Sequence, residues 1–89
     1  MELHKLKIKN NYYQDIYYSY KTFELRKNDQ NYQVGDLIEF TIIIDNDKSV
    51  SIEAVANSLY KIIYILKDVP EYGLDKDYCI LGIKKYANL

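Results

Sequence analysis

The stretch SYKTFELRKND, residues 19–29, combines an alternating strand pattern with a high density of charge. Phe23 and Leu25 occupy one set of alternate positions, and Glu24 and Arg26 occupy the other. Because successive side chains of a β-strand point to opposite faces, this alternation predicts a strand with one apolar and one charged face. We expect Phe23 and Leu25 to hold the strand in the core.

The rest of the chain predicts further strands. HKLKIK alternates in the same way, with Leu6 and Ile8 on an apolar face and lysines on a solvated basic face. The other predicted strands are DLIEFTIII (36–44), the run from Ser58 to Lys67, and YCILGIKKY (78–86). Residues 51–57 fit either a strand or a helical turn, and both remain open. Asp45 and Asp47 lie in DNDKS, which lacks the rest of a calcium-loop pattern and predicts a solvated hairpin tip.

A tyrosine-rich segment between the first two strands predicts a short helix. Tyr13, Ile16, Tyr17 and Tyr20 follow the spacing of one helical face, and Asn10 or Asn11 is a candidate N-cap. We expect a helix of about ten residues. The tyrosines expected to pack it on the sheet are Tyr12, Tyr13, Tyr17, Tyr18 and Tyr20; an exposed member could stack on a base.

The predicted order is strand, helix and four strands, which indicates an α+β fold. Several short strands with one early helix favour a small, strongly curved sheet that closes toward a barrel, with the helix over an open end. A ferredoxin-like sandwich would need a second long helix, which only residues 51–62 could supply. The 89 residues suffice for one domain, residues 1–89.

Composition narrows the functional classes. Cys79 and His4 are the only cysteine and histidine, so an intrachain disulfide is impossible, a zinc site is improbable, and we expect no metal or cofactor. No apolar stretch reaches the roughly 20 residues of a membrane helix, and no signal-peptide pattern begins the chain. We therefore expect a soluble, cytoplasmic protein that does not enter a membrane.

Charge is unevenly distributed. The formal net charge is −1, which argues against a long nucleic-acid footprint. Residues 1–28 nevertheless carry six basic and three acidic side chains, while the remainder is acidic. This balance fits a small anionic ligand or a short single strand better than duplex DNA.

Several motifs together resemble a known family. HKLKI, a helix ending before KTFELRKND, and then YQVGD, YIL, GL and YCILGI resemble a small uncharacterised bacterial and phage family of the ASCH group, in the PUA-like superfamily. The resemblance covers residues 4–84. It implies a β-barrel of about five or six strands with one or two short helices near one mouth. It also implies a cleft lined by Lys21, Glu24 and Arg26.

The residue types of this strand suit ligand binding. Arg26 could grip a phosphate or carboxylate with its fork, Glu24 could accept from a base amino group, and Lys21 could anchor an anion. We predict no catalytic and no metal-binding residues. The candidate ligand-binding residues are His4, Lys21, Thr22, Glu24, Arg26, Lys27, Asn28 and Asp29.

ASCH domains are widely supposed to bind RNA, so the resemblance implies a module for RNA, a nucleotide or a modified nucleoside. An amidohydrolase acting on acetylated cytidine is an alternative, since small ASCH enzymes of this kind use a lysine and a threonine three residues later. Lys21 matches, but Glu24 stands at the threonine position, and Thr22 is one residue from Lys21. A second alternative is a phage accessory protein that binds a host protein or sequesters a nucleotide signal. The oligomeric state is left open.

Overall fold

The computed structural model of the protein describes residues 1–45 and 51–89, with the Ser51 side chain excepted. The elements are β1 (Leu3–Lys9), α1 (Asn10–Tyr17), β2 (Phe23–Lys27), β3 (Leu37–Asp45), β4 (Ser51–Leu66), a single 3-10 turn (Pro70–Tyr72) and β5 (Tyr78–Asn88). The predicted order of strands and helix is thus confirmed. The predicted tip of the hairpin at Asp47 lies outside the described residues.

The five strands form one curled, mixed sheet that closes half of a barrel. Its strand order is β1-β3-β4-β5-β2, with β1 parallel to β3 and every other neighbouring pair antiparallel. Two strands that are close in the sequence, β1 and β2, therefore form the two edges of the sheet. This architecture confirms a small α+β, barrel-like fold.

The long strand β4 resolves the open prediction for residues 51–57. These residues are strand, and residues 51–55 pair with the second half of β3, from Thr41↔Val55 to Asp45↔Ser51. Register shifts interrupt the β3–β4 ladder once and the β4–β5 ladder twice. Such bulges bend a strand and increase its twist, which suits a curled sheet. With residues 51–62 in a strand, the ferredoxin-like alternative is excluded.

The orientation of β2 is opposite to the prediction. Phe23 and Leu25 are 45% and 54% exposed, whereas Glu24 is only 4% exposed. Glu24 is paired across the ladder with the fully buried Leu81. Alternation separated the two faces correctly, but the charged face is the inner one. Burial of Glu24 is tolerable because a buried carboxylate with cationic partners avoids much of the cost of an isolated charge.

Helix α1 is shorter than predicted and buries fewer tyrosines. It begins at Asn10 after Lys9, whose side chain makes no capping hydrogen bond, so the predicted Asn cap is wrong. Ser19 ends this segment in the left-handed region, at φ 64°. As a result Tyr20 lies beyond the helix and is exposed, and Tyr17 is half exposed. Tyr13 is the only one of the five candidate tyrosines that is buried.

The core lies between the inner face of the sheet and α1. Tyr13 packs its ring against Phe40 and Tyr60, with centroids 5.9 and 6.4 Å apart in edge-to-face geometry. The remaining buried apolar residues are Leu6, Ile8, Ile16, Tyr32, Ile38, Ala56, Ile62, Cys79, Leu81 and Ile83. None of the helices in residues 1–45 and 51–89 has the length and apolar character needed to cross a bilayer.

Candidate ligand-binding cleft

The two edge strands meet at a seam where the half-barrel remains open. Nη1 of Arg26 on β2 donates a hydrogen bond of 2.9 Å to the main-chain carbonyl oxygen of Lys7 on β1. No backbone ladder joins β1 to β2 within the described ranges. A side chain thus takes the place of strand pairing at this point, and the rest of the seam is left open.

A cleft of about 440 Å³ occupies this seam. It is bounded by the C-terminal half of β1, the beginning of α1, and β2 with the residue shortly before it. Its lining consists of Lys7, Ile8, Lys9, Tyr12, Lys21, Glu24, Leu25 and Arg26. Four basic residues and one acidic residue therefore line the same space, which favours an anionic ligand. The Lys7 ammonium is paired with the Glu53 carboxylate at 3.0 Å, so Lys9, Lys21 and Arg26 are the cations that carry this argument.

Glu24 lies between two cations. Its Oε1 accepts a hydrogen bond of 2.6 Å from Nζ of Lys21, and its Oε2 lies 3.4 Å from Nη1 of Arg26. The side chains of Lys21 and Arg26 are 19% and 26% exposed, against 5% for Glu24. The carboxylate is thus at the base of the cleft, with its two cationic partners closer to solvent. The two cations and the one carboxylate together give this group a net charge of +1.

The exit from α1 fixes the position of Lys21. The main-chain N–H groups of Tyr20 and Lys21 both donate to the carbonyl oxygen of Asp15, at 2.8 and 3.0 Å. The Lys21 ammonium also lies over the rings of Tyr12 and Phe23, 5.1 and 5.4 Å from their centroids. Cation–π attraction and the ion pair with Glu24 therefore hold the ammonium on the rim of the cleft.

Tyr32 is a buried side chain whose hydroxyl interacts with Arg26. Tyr32 is 3% exposed. Burial raises the pKa of its hydroxyl, the nearby Asp29 adds to the rise, and the charge and hydrogen bonding of Arg26 partly offset it. Tyr32 therefore stays neutral at physiological pH, with its hydroxyl beside the guanidinium.

His4 is placed away from the cleft, in a buried polar cluster. Its Nε2 lies 2.8 Å from Oδ2 of Asp36 and its Nδ1 lies 3.2 Å from Oε1 of Gln30. Its ring packs on Tyr32 with a centroid distance of 4.7 Å. Both ring nitrogens are thus engaged by protein groups, which is the arrangement of a structural histidine.

Asp36 organises this cluster. Burial disfavours its carboxylate, but hydrogen bonds from His4 and from the main-chain N–H groups of Glu2 and Gln33 outweigh that effect, so its pKa lies below the ordinary value. One oxygen each of Glu2 and Asp36 and a His4 nitrogen lie within 4.8 Å of one another, a spacing that could suit a metal ion. Since the Asp36 oxygens already accept three hydrogen bonds, the cluster holds the starts of β1 and β3 together.

The remaining predicted residues lie outside the cleft. Thr22 lines a different cavity, on the other side of Lys21. Lys27 is exposed at the end of β2, and Asn28 and Asp29 are exposed in the turn that follows, where the N–H of Asn28 donates to the carbonyl oxygen of Asp77. The structure therefore brings three of the eight candidates, Lys21, Glu24 and Arg26, together in the cleft.

Sequence reasoning missed the other wall of the cleft. Lys7, Lys9 and Tyr12 line it from β1 and the start of α1. The alternation of HKLKIK did predict a basic face on β1, and that pattern was the available signal. The sequence pattern did not show that β1 pairs with β3, and this pairing is what brings β1 opposite β2 across the seam.

Comparison with known proteins places the chain in a family. No curated protein matches its sequence. The family described as "Domain of unknown function (DUF3850)" matches residues 3–83, which include all of β1 to β4 and the first half of β5. The chain therefore belongs to the DUF3850 family.

Proposed function

We propose that the cleft between β1 and β2 binds RNA, a nucleotide or a modified nucleoside. The observation that carries this proposal is Glu24, buried at the base of an open cleft between Lys21 and Arg26. Such a set offers an acceptor for the amino group of a base and cations for a phosphate. A ligand with both groups matches it better than a simple anion does.

The dimensions of the cleft agree with this class of ligand. Its volume of about 440 Å³ falls within the range of about 300–1,000 Å³ that small-molecule sites usually have. The ring of Tyr12 is half exposed at its wall, and Ile8 and Leu25 supply apolar lining. Tyr12 therefore offers a face on which a base could stack, next to the Lys21 ammonium.

We also infer that the half-barrel is a PUA-like barrel of the ASCH type. The support is the chain order of β1, α1 and β2, the curled mixed sheet, and a basic cleft that contains the lysine, glutamate and arginine of KTFELR. Likeness of fold is weak support for function by itself. The proposal for the ligand therefore rests on the cleft and not on the fold.

Amide hydrolysis of acetylated cytidine is the competing function. It would require Lys21 to activate a nucleophile in the same space as the acidic residue, whereas Thr22 shares the 300 Å³ cavity with Lys21 and does not line the cleft that contains Glu24 and Arg26. The Lys21 ammonium is instead engaged by the Glu24 carboxylate. These contacts favour binding over catalysis.

Isothermal titration with the four nucleoside monophosphates and short RNAs tests the proposal. We expect Arg26→Ala to weaken binding at least about tenfold, because a charge-assisted contact is lost. Glu24→Gln keeps the shape of the side chain but removes its charge, and we expect it to change which base is preferred. Lys27→Ala is the matched control, since Lys27 is an exposed cation on the same strand outside the cleft.

Two outcomes would contradict the proposal. The first is the absence of binding to folded protein, or binding that Arg26→Ala and Lys27→Ala reduce equally. The second is release of acetate from acetylcytidine by the wild-type protein, measured by chromatography, together with loss of this activity in Lys21→Ala. That result would establish the hydrolase in place of the binding module.

A further inference from the structure

Two further cavities continue from the cleft along the second half of β5. A cavity of about 300 Å³ lies between the exit of α1 and β5, and Lys21, Lys84 and Lys85 line it. A hollow of about 350 Å³ follows, lined by Lys61, Lys84, Lys85 and Tyr86 together with one apolar residue. Lys21 also lines the cleft itself, so shared lysines connect all three spaces. We call Lys21, Lys84, Lys85 and Lys61 the lysine track.

The lysine track is strongly positive in a protein whose net charge is −1. No described carboxylate lines the 300 Å³ cavity or the hollow. Lys61 and Lys84 face each other directly across the β4–β5 ladder, and within residues 1–45 and 51–89 neither forms an ion pair. Like charges in opposite positions on neighbouring strands are destabilising, so an anionic partner would relieve this repulsion.

The strand edge beside the track is open. β2 pairs with β5 from Tyr78 to Gly82, and the N–H of Ile83 donates one further hydrogen bond, of 2.9 Å, to the carbonyl oxygen of Thr22. From Lys84 onward, β5 pairs with β4 alone. Tyr86 is half exposed there, and the Lys61 ammonium lies 5.8 Å from its ring centroid. Tyr17, also half exposed, lines the 300 Å³ cavity. Aromatic rings therefore alternate with cations along the path, as in surfaces that bind single strands.

We propose that the lysine track binds the phosphodiester backbone of a single-stranded nucleic acid, one nucleotide of which occupies the cleft. This inference rests on the proposed function and specifies its ligand as an oligomer. A free mononucleotide would use only the cleft and would leave Lys61, Lys84 and Lys85 without a role. Lys85 lies opposite the buried Tyr60, on the inner face of the sheet, whereas Lys84 and its partner Lys61 lie on the outer face. A backbone that leaves the cleft past Lys21 would therefore pass Lys85 and then turn around the edge of β5 to reach Lys84 and Lys61, and no described carboxylate lines either cavity on this path.

Lysines on an open strand edge have another known use. They discourage edge-to-edge pairing of sheets, because two lysine-bearing edges repel each other. A cationic surface could also take an acidic peptide. The exposed aromatic rings beside the lysines favour nucleic acid over an acidic peptide. The experiment below distinguishes nucleic-acid binding from edge protection and from peptide binding.

Fluorescence anisotropy with labelled RNA and DNA of one, three, five and eight nucleotides provides the test. We expect affinity to rise with length, and the double variant Lys84→Ala/Lys85→Ala to remove that gain while leaving mononucleotide binding unchanged. Each phosphate contact contributes about 0.7 to the slope of log affinity against log salt for single strands, so the double variant should reduce the slope by about 1.4. The RNA and DNA arms identify which strand is preferred.

Lys5→Ala/Lys76→Ala is the matched control, because it removes the same charge at exposed positions that line none of these three spaces. We expect it to retain the gain with length. Circular dichroism checks that each variant folds, and a polyglutamate peptide is the competitor that represents an acidic protein partner.

Three results would overturn the inference. If an oligomer of five nucleotides binds no more tightly than a mononucleotide, the lysine track does not bind the backbone, although the proposed function of the cleft still holds. Equal competition by polyglutamate would assign the track to an acidic peptide, and aggregation of the Lys84/Lys85 variant with unchanged affinity would assign it to edge protection. A different result would reject the cleft as the nucleotide site and keep the lysine track: an increase of affinity with strand length that depends on Lys84 and Lys85 but not on Arg26.

Discussion

Arg26 and Lys7 join the two edges of the sheet through a single hydrogen bond, from Nη1 of the guanidinium to the main-chain carbonyl oxygen, at 2.9 Å. The same Nη1 lies 3.4 Å from the Glu24 carboxylate. One side chain therefore both bridges the seam and balances the buried charge at its base. Loss of this side chain should affect the stability of the fold as well as the cleft.

Arg26→Ala should lower the free energy of unfolding by about 1–2 kcal/mol, because the Glu24 carboxylate loses one of its two cations and the Lys7 carbonyl loses its donor. Arg26→Lys should lie between this variant and the wild type, since an ammonium keeps the charge but not the fork. Urea denaturation measures both. An effect no larger than that of the exposed Lys27→Ala would show that the bridge does not stabilise the fold.

The inward orientation of Glu24 makes a paired prediction for its neighbours. Leu81→Ala should cost about 3 kcal/mol, because Leu81 is fully buried opposite Glu24. Leu25→Ala should cost less than about 1 kcal/mol, because this side chain is 54% exposed on the outer face. Thermal and urea unfolding of the two variants check this. Equal losses would mean that β2 turns its apolar residues inward after all.

Asp36 should make stability depend on pH in a defined direction. Its folded pKa lies below the ordinary value of 3.8, so the unfolded chain takes up the proton first and the contribution of Asp36 is present above about pH 4. That contribution is lost as the pH falls through the folded pKa. The gap in unfolding free energy between wild type and Asp36→Asn should therefore be widest near neutral pH and narrow in acid.

Urea titrations between about pH 3 and pH 7 measure this gap. Glu2 and His4 face the same carboxylate, so the comparison is made between variants at each pH and not between pH values alone. Asp15→Asn, on the exposed face of α1, is the control and should give a small gap at every pH. A gap for Asp36→Asn that widens in acid would contradict the expected sign.

Cys79 should be unreactive in the folded protein. Its side chain is fully buried, and burial raises the pKa of the thiol, so little thiolate forms and reagents have no access. A thiol reagent such as Ellman's reagent should therefore react slowly with native protein and at once in denaturant. Asn28→Cys, in the exposed turn nearby, supplies a thiol that should react rapidly in both states. Fast labelling of native Cys79 would show that β5 opens readily.

The sequence predicted the fold more fully than the site. The alternation of Leu6 and Ile8 in β1 was unambiguous because, from residue 5 to residue 9, the opposite face carries only lysines. In β2 the charged face carries both signs, Glu24 and Arg26, so its charges can pair with each other and this face can point inward. The deciding factor was the placement of Lys21 and Arg26 on both sides of Glu24, a three-dimensional relationship that spacing does not specify. The prediction that Tyr17 packs on the sheet was wrong for a related reason. The tyrosine-bearing face of the helix is wider than the part of the helix that the sheet covers.

The width of the cleft depends on more than its own lining. Because β1 and β2 are the first and last strands of the sheet order, the distance between them accumulates the twist and bend of every strand between. The bulges of the β4–β5 ladder, at Tyr86 in β5 and at Ile63 in β4, therefore act on the opening although neither residue lines the cleft. Substitutions there should change the width of the cleft by changing the circumference of the half-barrel.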